Sequence, residues 1–172
     1  DLDDRISALS EFAEETPLNR VDMGDASVGI VTSGVSYQYV KEAVPEASVL
    51  KVGMGFPLPV RKLAEFAQSV DRLVVVEEAD PYLESSLRSM GLEVSELRIP
   101  RAGELSPAEI AKAFGQTAPE MREAIDDLPP RPPLMCPGCP HRGAYHAMKK
   151  VKAIVTGDIG CYTLGALPPL SS

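Results

Sequence analysis

Ser27-Val28-Gly29-Ile30-Val31, Ser48-Val49-Leu50-Lys51-Val52 and Arg72-Leu73-Val74-Val75-Val76 are three short, nearly continuous apolar runs. Runs of this length, rich in β-branched residues, read as strands buried on both faces. Each is followed by a turn and then by apolar residues at helical spacing. Thr32-Ser33-Gly34 closes the first run and leads to Tyr37, Val40 and Val44. Gly53-Met54-Gly55 closes the second, and Pro59 opens a stripe of Val60, Leu63, Ala64 and Ala67. The third precedes Leu83, Leu87 and Met90, a helix stopped at Gly91, and Leu92-Glu93-Val94 then predicts a fourth strand. Strands alternating with helices predict an α/β fold, a parallel sheet with helices on both faces, over residues 25–100.

Upstream, Leu2, Ile6, Leu9 and Phe12/Ala13 recur at three- and four-residue steps opposite Asp and Glu. This predicts a helix within residues 1–24 that tethers the domain to whatever precedes it. The chain starts at Asp1 without an initiator Met, so we expect it to be cut from something longer. Downstream, residues 101–133 have the texture of a linker. Ser106-Pro107-Ala108-Glu109 is a capping box with Pro at the first helical position. Thr117-Ala118-Pro119-Glu120 repeats the device and predicts a second helix carrying Met121, Ile125 and Leu128. Pro129-Pro130-Arg131-Pro132-Pro133 then imposes an extended connector. Residues 134–172 begin a new unit, with a helix to Lys150 and a predicted strand over Val151–Thr156. That unit is too small to bury a core alone.

Charge and composition narrow the function. The 172 residues carry 17 Lys+Arg against 25 Asp+Glu, a formal charge of −8. So acidic a balance argues against nucleic acid or anionic membrane as the main partner. No apolar run is long enough to span a bilayer. Three cysteines, two of them in a Cys-x-x-Cys, suit metal or redox use in a reducing compartment such as the cytoplasm.

Cys136, Cys139 and Cys161 are the sharpest chemical constellation. Three thiolates with one more ligand would hold a cubane iron–sulfur cluster, and three with His141 a tetrahedral zinc. A redox dithiol, or turn cysteines that meet nothing, are the alternatives. Gly157-Asp158-Ile159-Gly160 follows a predicted strand, where parallel sheets bind ligands and glycine lets a backbone approach closely. A simple tight turn is the competing reading. Thr32-Ser33-Gly34 is a weaker candidate for an anion at a helix start. Glu77 and Glu78 fall on opposite faces of a strand, so they form no acid/base pair, and an inter-domain or solvent contact is expected. His141 and His146 miss the spacing of helical metal ligands, and His146 is read as structural.

Cys136-Pro-Gly-Cys-Pro-His-Arg-Gly143, followed by Thr156-Gly-Asp-Ile-Gly-Cys-Tyr-Thr-Leu-Gly-Ala-Leu-Pro-Pro-Leu170, resembles the alpha subunit of the indolepyruvate:ferredoxin oxidoreductases. Gly29-Ile-Val-Thr-Ser-Gly-Val-Ser-Tyr37, Leu50-Lys-Val-Gly53 and Val74-Val-Val-Glu-Glu78 share the resemblance. These enzymes belong to the thiamine-diphosphate-dependent 2-oxoacid:ferredoxin oxidoreductases. The resemblance implies a transketolase C-terminal-like domain over 25–100 and the incomplete opening of a diphosphate-binding domain over 134–172. It implies that Cys136, Cys139 and Cys161 are [4Fe-4S] cluster ligands and that Ile159, Gly160, Cys161 and Tyr162 touch thiamine diphosphate. The Mg²⁺ motif of the family lies further on, so Asp158 is not expected to hold Mg²⁺.

The implied reaction is oxidative decarboxylation of an aryl pyruvate such as indolepyruvate. Coenzyme A takes the acyl group and ferredoxin the electrons, with a beta subunit as partner. By itself the chain is expected to be inactive and to bind no cofactor. A non-catalytic subunit-contact module and a small CxxC zinc or redox protein are the alternative functions.

Overall fold

The computed structural model describes residues 1–118, 127–130 and 132–171. The chain divides into two compact units, Asp1–Met121 and Arg122–Ser172. In the first, the elements run α1 (Leu2–Glu15), β1 (Arg20–Asp22), β2 (Asp25–Ser33), α2 (Ser36–Ala43), β3 (Ala47–Val52), α3 (Val60–Gln68), β4 (Leu73–Val76), α4 (Tyr82–Ser89) and α5 (Pro107–Ala113). The second holds α6 (Pro140–Lys150) and a 3-10 helix (Cys161–Ala166).

Among the described residues, four strands form one sheet in the order β1-β3-β2-β4. The three expected apolar runs are β2, β3 and β4, and they pair in parallel. Alternation along them builds two cores. Val31, Leu50 and Val75 face Leu63, Phe66, Leu83 and Leu87 of α3 and α4. Ile30, Val49, Val74 and Val76 face Tyr37 and Val40 of α2 and Ile110 of α5. Helices therefore cover both faces, as the near-continuous apolar runs require. Ser106 caps α5 by accepting from Glu109 N–H at 3.3 Å, with Pro107 at the first helical position.

Two strands depart from expectation. Arg20-Val21-Asp22, within the 1–24 stretch expected to carry only the tether helix, forms β1. β1 pairs antiparallel with β3 in the register Arg20↔Lys51, Val21↔Leu50, Asp22↔Val49. Three residues, two of them charged, carry no alternation that would have revealed it. Leu92-Glu93-Val94, conversely, is not a strand. Val94 is buried in the core, but the link to β4 is a single Ser95 N–H donating to the Leu73 carbonyl at 2.8 Å.

The α1 stripe also behaves differently. Leu2, Ile6, Leu9 and Phe12 stay exposed, while Ala13 is fully buried. The helix is fixed at its C-terminal end. Glu14 accepts from the Arg61 and Lys62 N–H groups at 2.8 and 3.0 Å, capping α3, which has no capping side chain of its own. Asn19, also buried, donates to the Ala13 carbonyl and accepts from Gly53 and Met54 N–H, joining α1 to the end of β3. The second helix expected from Thr117-Ala118-Pro119-Glu120 lies outside the described residues.

Candidate functional site

The second unit carries both cysteine motifs, and each is set by a backbone turn. Gly138 (φ +77°) allows the turn in which Cys139 N–H donates to the Cys136 carbonyl at 3.1 Å. Cys139 then stands at the N-cap position of α6, without a capping side-chain hydrogen bond, and Pro140 is the first helical residue. Gly160 (φ +107°) begins the 3-10 helix that starts at Cys161, a conformation closed to residues with a Cβ.

One contact path joins the two motifs. The Cys139 Sγ lies 3.3 Å from His141 Nδ1, and the His141 ring meets Tyr162 edge-on with centroids 5.0 Å apart. Beneath them, buried Tyr145 donates from its hydroxyl to the Tyr162 carbonyl at 3.3 Å. Gly165 lies so close that a Cβ there would come within 2.6 Å of the Tyr145 ring. His141 was legible as a metal-ligand candidate, but its role as a bridge was not. Tyr145 gave no signal beyond its place on a helix.

A cleft of about 320 Å³ opens between α6 and the glycine-rich turn, lined by Tyr145, Val155, Asp158, Ile159, Tyr162 and Thr163 among others. Ile159 and Tyr162 thus line it, with Ile159 92% exposed. Gly160 and Cys161 sit on the turn itself, and Cys161 is exposed. Asp158 Oδ1 accepts from its neighbour's amide, Ile159 N–H, at 2.7 Å, and its carbonyl accepts from the Thr163 hydroxyl. Residues Val151–Thr156, expected as a strand, are not one.

The donor set can be tested against the implied groups. Among the described residues, no three or more His, Cys, Asp or Glu side chains gather where one metal ion could be held. Cys136, Cys139 and Cys161 therefore do not form a ligand set as placed, with or without His141. The cleft offers one carboxylate and no cation to a diphosphate. Its aromatic, aliphatic and backbone groups could pack on a ring, but the lining supplies no complement to a diphosphate, so it does not by itself fit thiamine diphosphate as a whole.

The first unit holds its own acids differently. Glu77, buried at the end of β4, accepts from Leu83 and Glu84 N–H at 2.7 and 3.0 Å and so occupies the N-terminus of α4. Glu78 accepts from Leu105 N–H at 2.9 Å. The order β3-β2-β4 reverses direction between β2 and β4, the crevice where open α/β sheets bind ligands. Here the protein's own carboxylates cap helix and loop at that edge. A smaller cleft of about 190 Å³ lies at the opposite, amino ends of β2 and β3, between Asp25, Val44, Glu46 and Phe114. Backbone and hydroxyl bonds from Ser27 hold the Asp25 carboxyl below its usual range.

Over 97% of its length the chain is 38% identical to the indolepyruvate oxidoreductase subunit IorA of Pyrococcus abyssi. The chain is a homologue of that subunit. IorA of Thermococcus kodakarensis is 37% identical and that of Archaeoglobus fulgidus 34%, each again over 97% of the chain. The chain spans 30–31% of the length of these IorA relatives. No family model matches it. Among solved structures, the 2-oxoglutarate:ferredoxin oxidoreductase of Magnetococcus marinus, with 2-oxoglutarate, coenzyme A and succinyl-CoA bound, matches 63% of this chain and 20% of its own. The TM-score is 0.51 at 18% identity, a likeness of fold. No helix among the described residues is long and apolar enough to cross a membrane.

Proposed function

We propose that this IorA homologue is a portion of a cytoplasmic 2-oxoacid oxidoreductase that decarboxylates indolepyruvate and related aryl pyruvates, forming the aryl-acetyl-CoA and reducing ferredoxin. The observation that carries this reading is the likeness to IorA across nearly the whole chain. In that reading the first unit is the transketolase C-terminal-like domain and the second opens the cofactor-binding domain, completed by the rest of the subunit and by a beta subunit. Thiamine diphosphate with Mg²⁺, when bound, supplies the carbanion chemistry. The residues of this chain contribute position. The Gly157–Tyr162 turn presents backbone, Ile159 and Tyr162 to a ring, and the His141–Tyr162 contact fixes that turn against the cysteine turn.

The test is anaerobic turnover by the complete subunit paired with its beta subunit. Indolepyruvate and coenzyme A should together drive reduction of ferredoxin, and omission of either should stop it. The 172-residue chain alone should give none. Failure of the complete complex to release CO₂ from any aryl pyruvate would reject the reading.

A further inference from the structure

Acidic residues far outnumber basic ones in the first unit, yet three cations converge at one edge of its sheet. Arg20 and Lys51 are direct cross-strand partners on β1 and β3. They share the face that carries Val49 and is covered by α2, since side chains two apart along a strand point the same way. Both stand over the same ring: Arg20 Cζ is 5.3 Å and Lys51 Nζ 5.1 Å from the Tyr37 centroid. Lys41 follows Tyr37 by one helical turn and acts electrostatically on Asp22. Like charges directly opposite one another on a sheet are destabilising.

The internal compensation is incomplete. Asp22 is bound by Arg20 at 2.9 Å and accepts from the Tyr37 hydroxyl at 2.6 Å. Among the described residues, neither Lys41 nor Lys51 has a carboxylate within ion-pair distance. One carboxylate thus faces three cations. Thr32 of β2 continues the same row, paired in register with Lys51, and its hydroxyl is fully buried with no hydrogen-bond partner. The adjoining N-terminus of α2 has no capping side chain, in contrast to α4, whose N-terminus holds Glu77. Cations, an unpartnered hydroxyl and an uncapped helix start all call for the same complement, a compact multivalent anion.

We propose that Arg20, Lys41 and Lys51 form a binding site for a phosphate-type anion at the β1–β3 edge, with Tyr37 as its floor. Asp22 is the built-in competitor, holding Arg20 when the anion is absent. This site lies wholly in the first unit and does not depend on the oxidoreductase reading.

Calorimetric titration of the full chain with inorganic pyrophosphate, at ionic strength fixed with sodium chloride, tests it. Saturable one-to-one binding is expected. Lys51→Gln should weaken it by about tenfold, the effect of losing one charge-assisted contact, and Lys41→Gln by less. Asp22→Asn should tighten binding, an outcome that a purely structural ion pair would not produce. Circular dichroism confirms that each variant is folded. Inorganic phosphate and ADP in parallel titrations separate a lone phosphate group from a nucleotide as the source of the anion. No saturable binding by the unmodified chain, or an affinity unchanged from it in the folded Lys51→Gln variant, would overturn the proposal.

Discussion

In the first unit the strongly apolar segments go inside; in the second, several stay outside. Leu73-Val74-Val75-Val76 is buried at every position, whereas Ile154, in the comparably apolar Ala153-Ile154-Val155, is 96% exposed. Residue type does not account for the difference, since both segments are apolar and rich in β-branched residues. The partners do. β4 has β2 alongside and packs against helices on both faces, while among the described residues no strand pairs with Val155 or its neighbours. Strand propensity expresses a fit to a half-built surface, so an apolar run without that surface is not a strand. Burial in the second unit is instead local, with Tyr145 enclosed by α6, Gly165 and the turn at Tyr162.

The sharpest way to break this contrast is a matched pair of truncations. Leu50→Ala removes a fully buried side chain between β3 and the helices of its core and should cost about 2–5 kcal/mol in urea unfolding. Ile154→Ala should shift stability by no more than about 0.5 kcal/mol. A comparable loss at Ile154 would mean that it is covered in solution, and the contrast between the units would fail.

A second substitution tests the local packing of the smaller unit. Gly165→Ala places a methyl group against the Tyr145 ring, so either Tyr145 moves or the 3-10 helix does. Overpacking of this kind costs about 1–3 kcal/mol. The Tyr145 ring signals in NMR should shift together with those of Tyr162 and His141, whereas β2–β4 should not respond. Unchanged Tyr162 and His141 signals would show that the path from α6 to the cysteine turn is not mechanically continuous.

The same distinction explains what could be read in advance. β2, β3 and β4 were legible because their periodicity reports burial on two faces, and Ser106 because a cap is a local device. β1 was hidden because a short edge strand earns its place from β3, not from its own sequence. Ile159 and Tyr162 were singled out through their motif, and the structure places both on the wall of a cleft. The relation of the three thiols was not, since whether Cys161 joins Cys136 and Cys139 depends on a loop path that spacing leaves open. Glu77 was set aside as solvent or interface, and only the placement of α4 above the end of β4 reveals that it caps that helix.

The smallest expected effect concerns charge within the first unit. Burial alone would raise the Asp22 carboxyl, but hydrogen bonds from Tyr37 and Arg20 outweigh it and hold it below the usual range. A carboxyl depressed by folding contributes stability above its unfolded value of about 3.9 and loses it as pH falls through the folded value. Glu84 behaves alike, with Arg88 and Arg101 outweighing its burial. Tyr37 completes the cluster at the other end of the scale. The hydrogen bond to Asp22 and then burial raise its hydroxyl, so its contribution is intact below the ordinary tyrosine range of about 10 and fades as pH rises through the folded value. Thermal unfolding of Asp22→Asn should therefore show a shallower loss below pH 4, by well under about 1 kcal/mol because the group is partly exposed to solvent. In the same variant the alkaline fall should begin nearer the ordinary tyrosine range, since the carboxylate that accepts from the Tyr37 hydroxyl is gone. An acid limb as steep as that of the unmodified chain would place the acid sensitivity outside this cluster, at Glu84 or beyond.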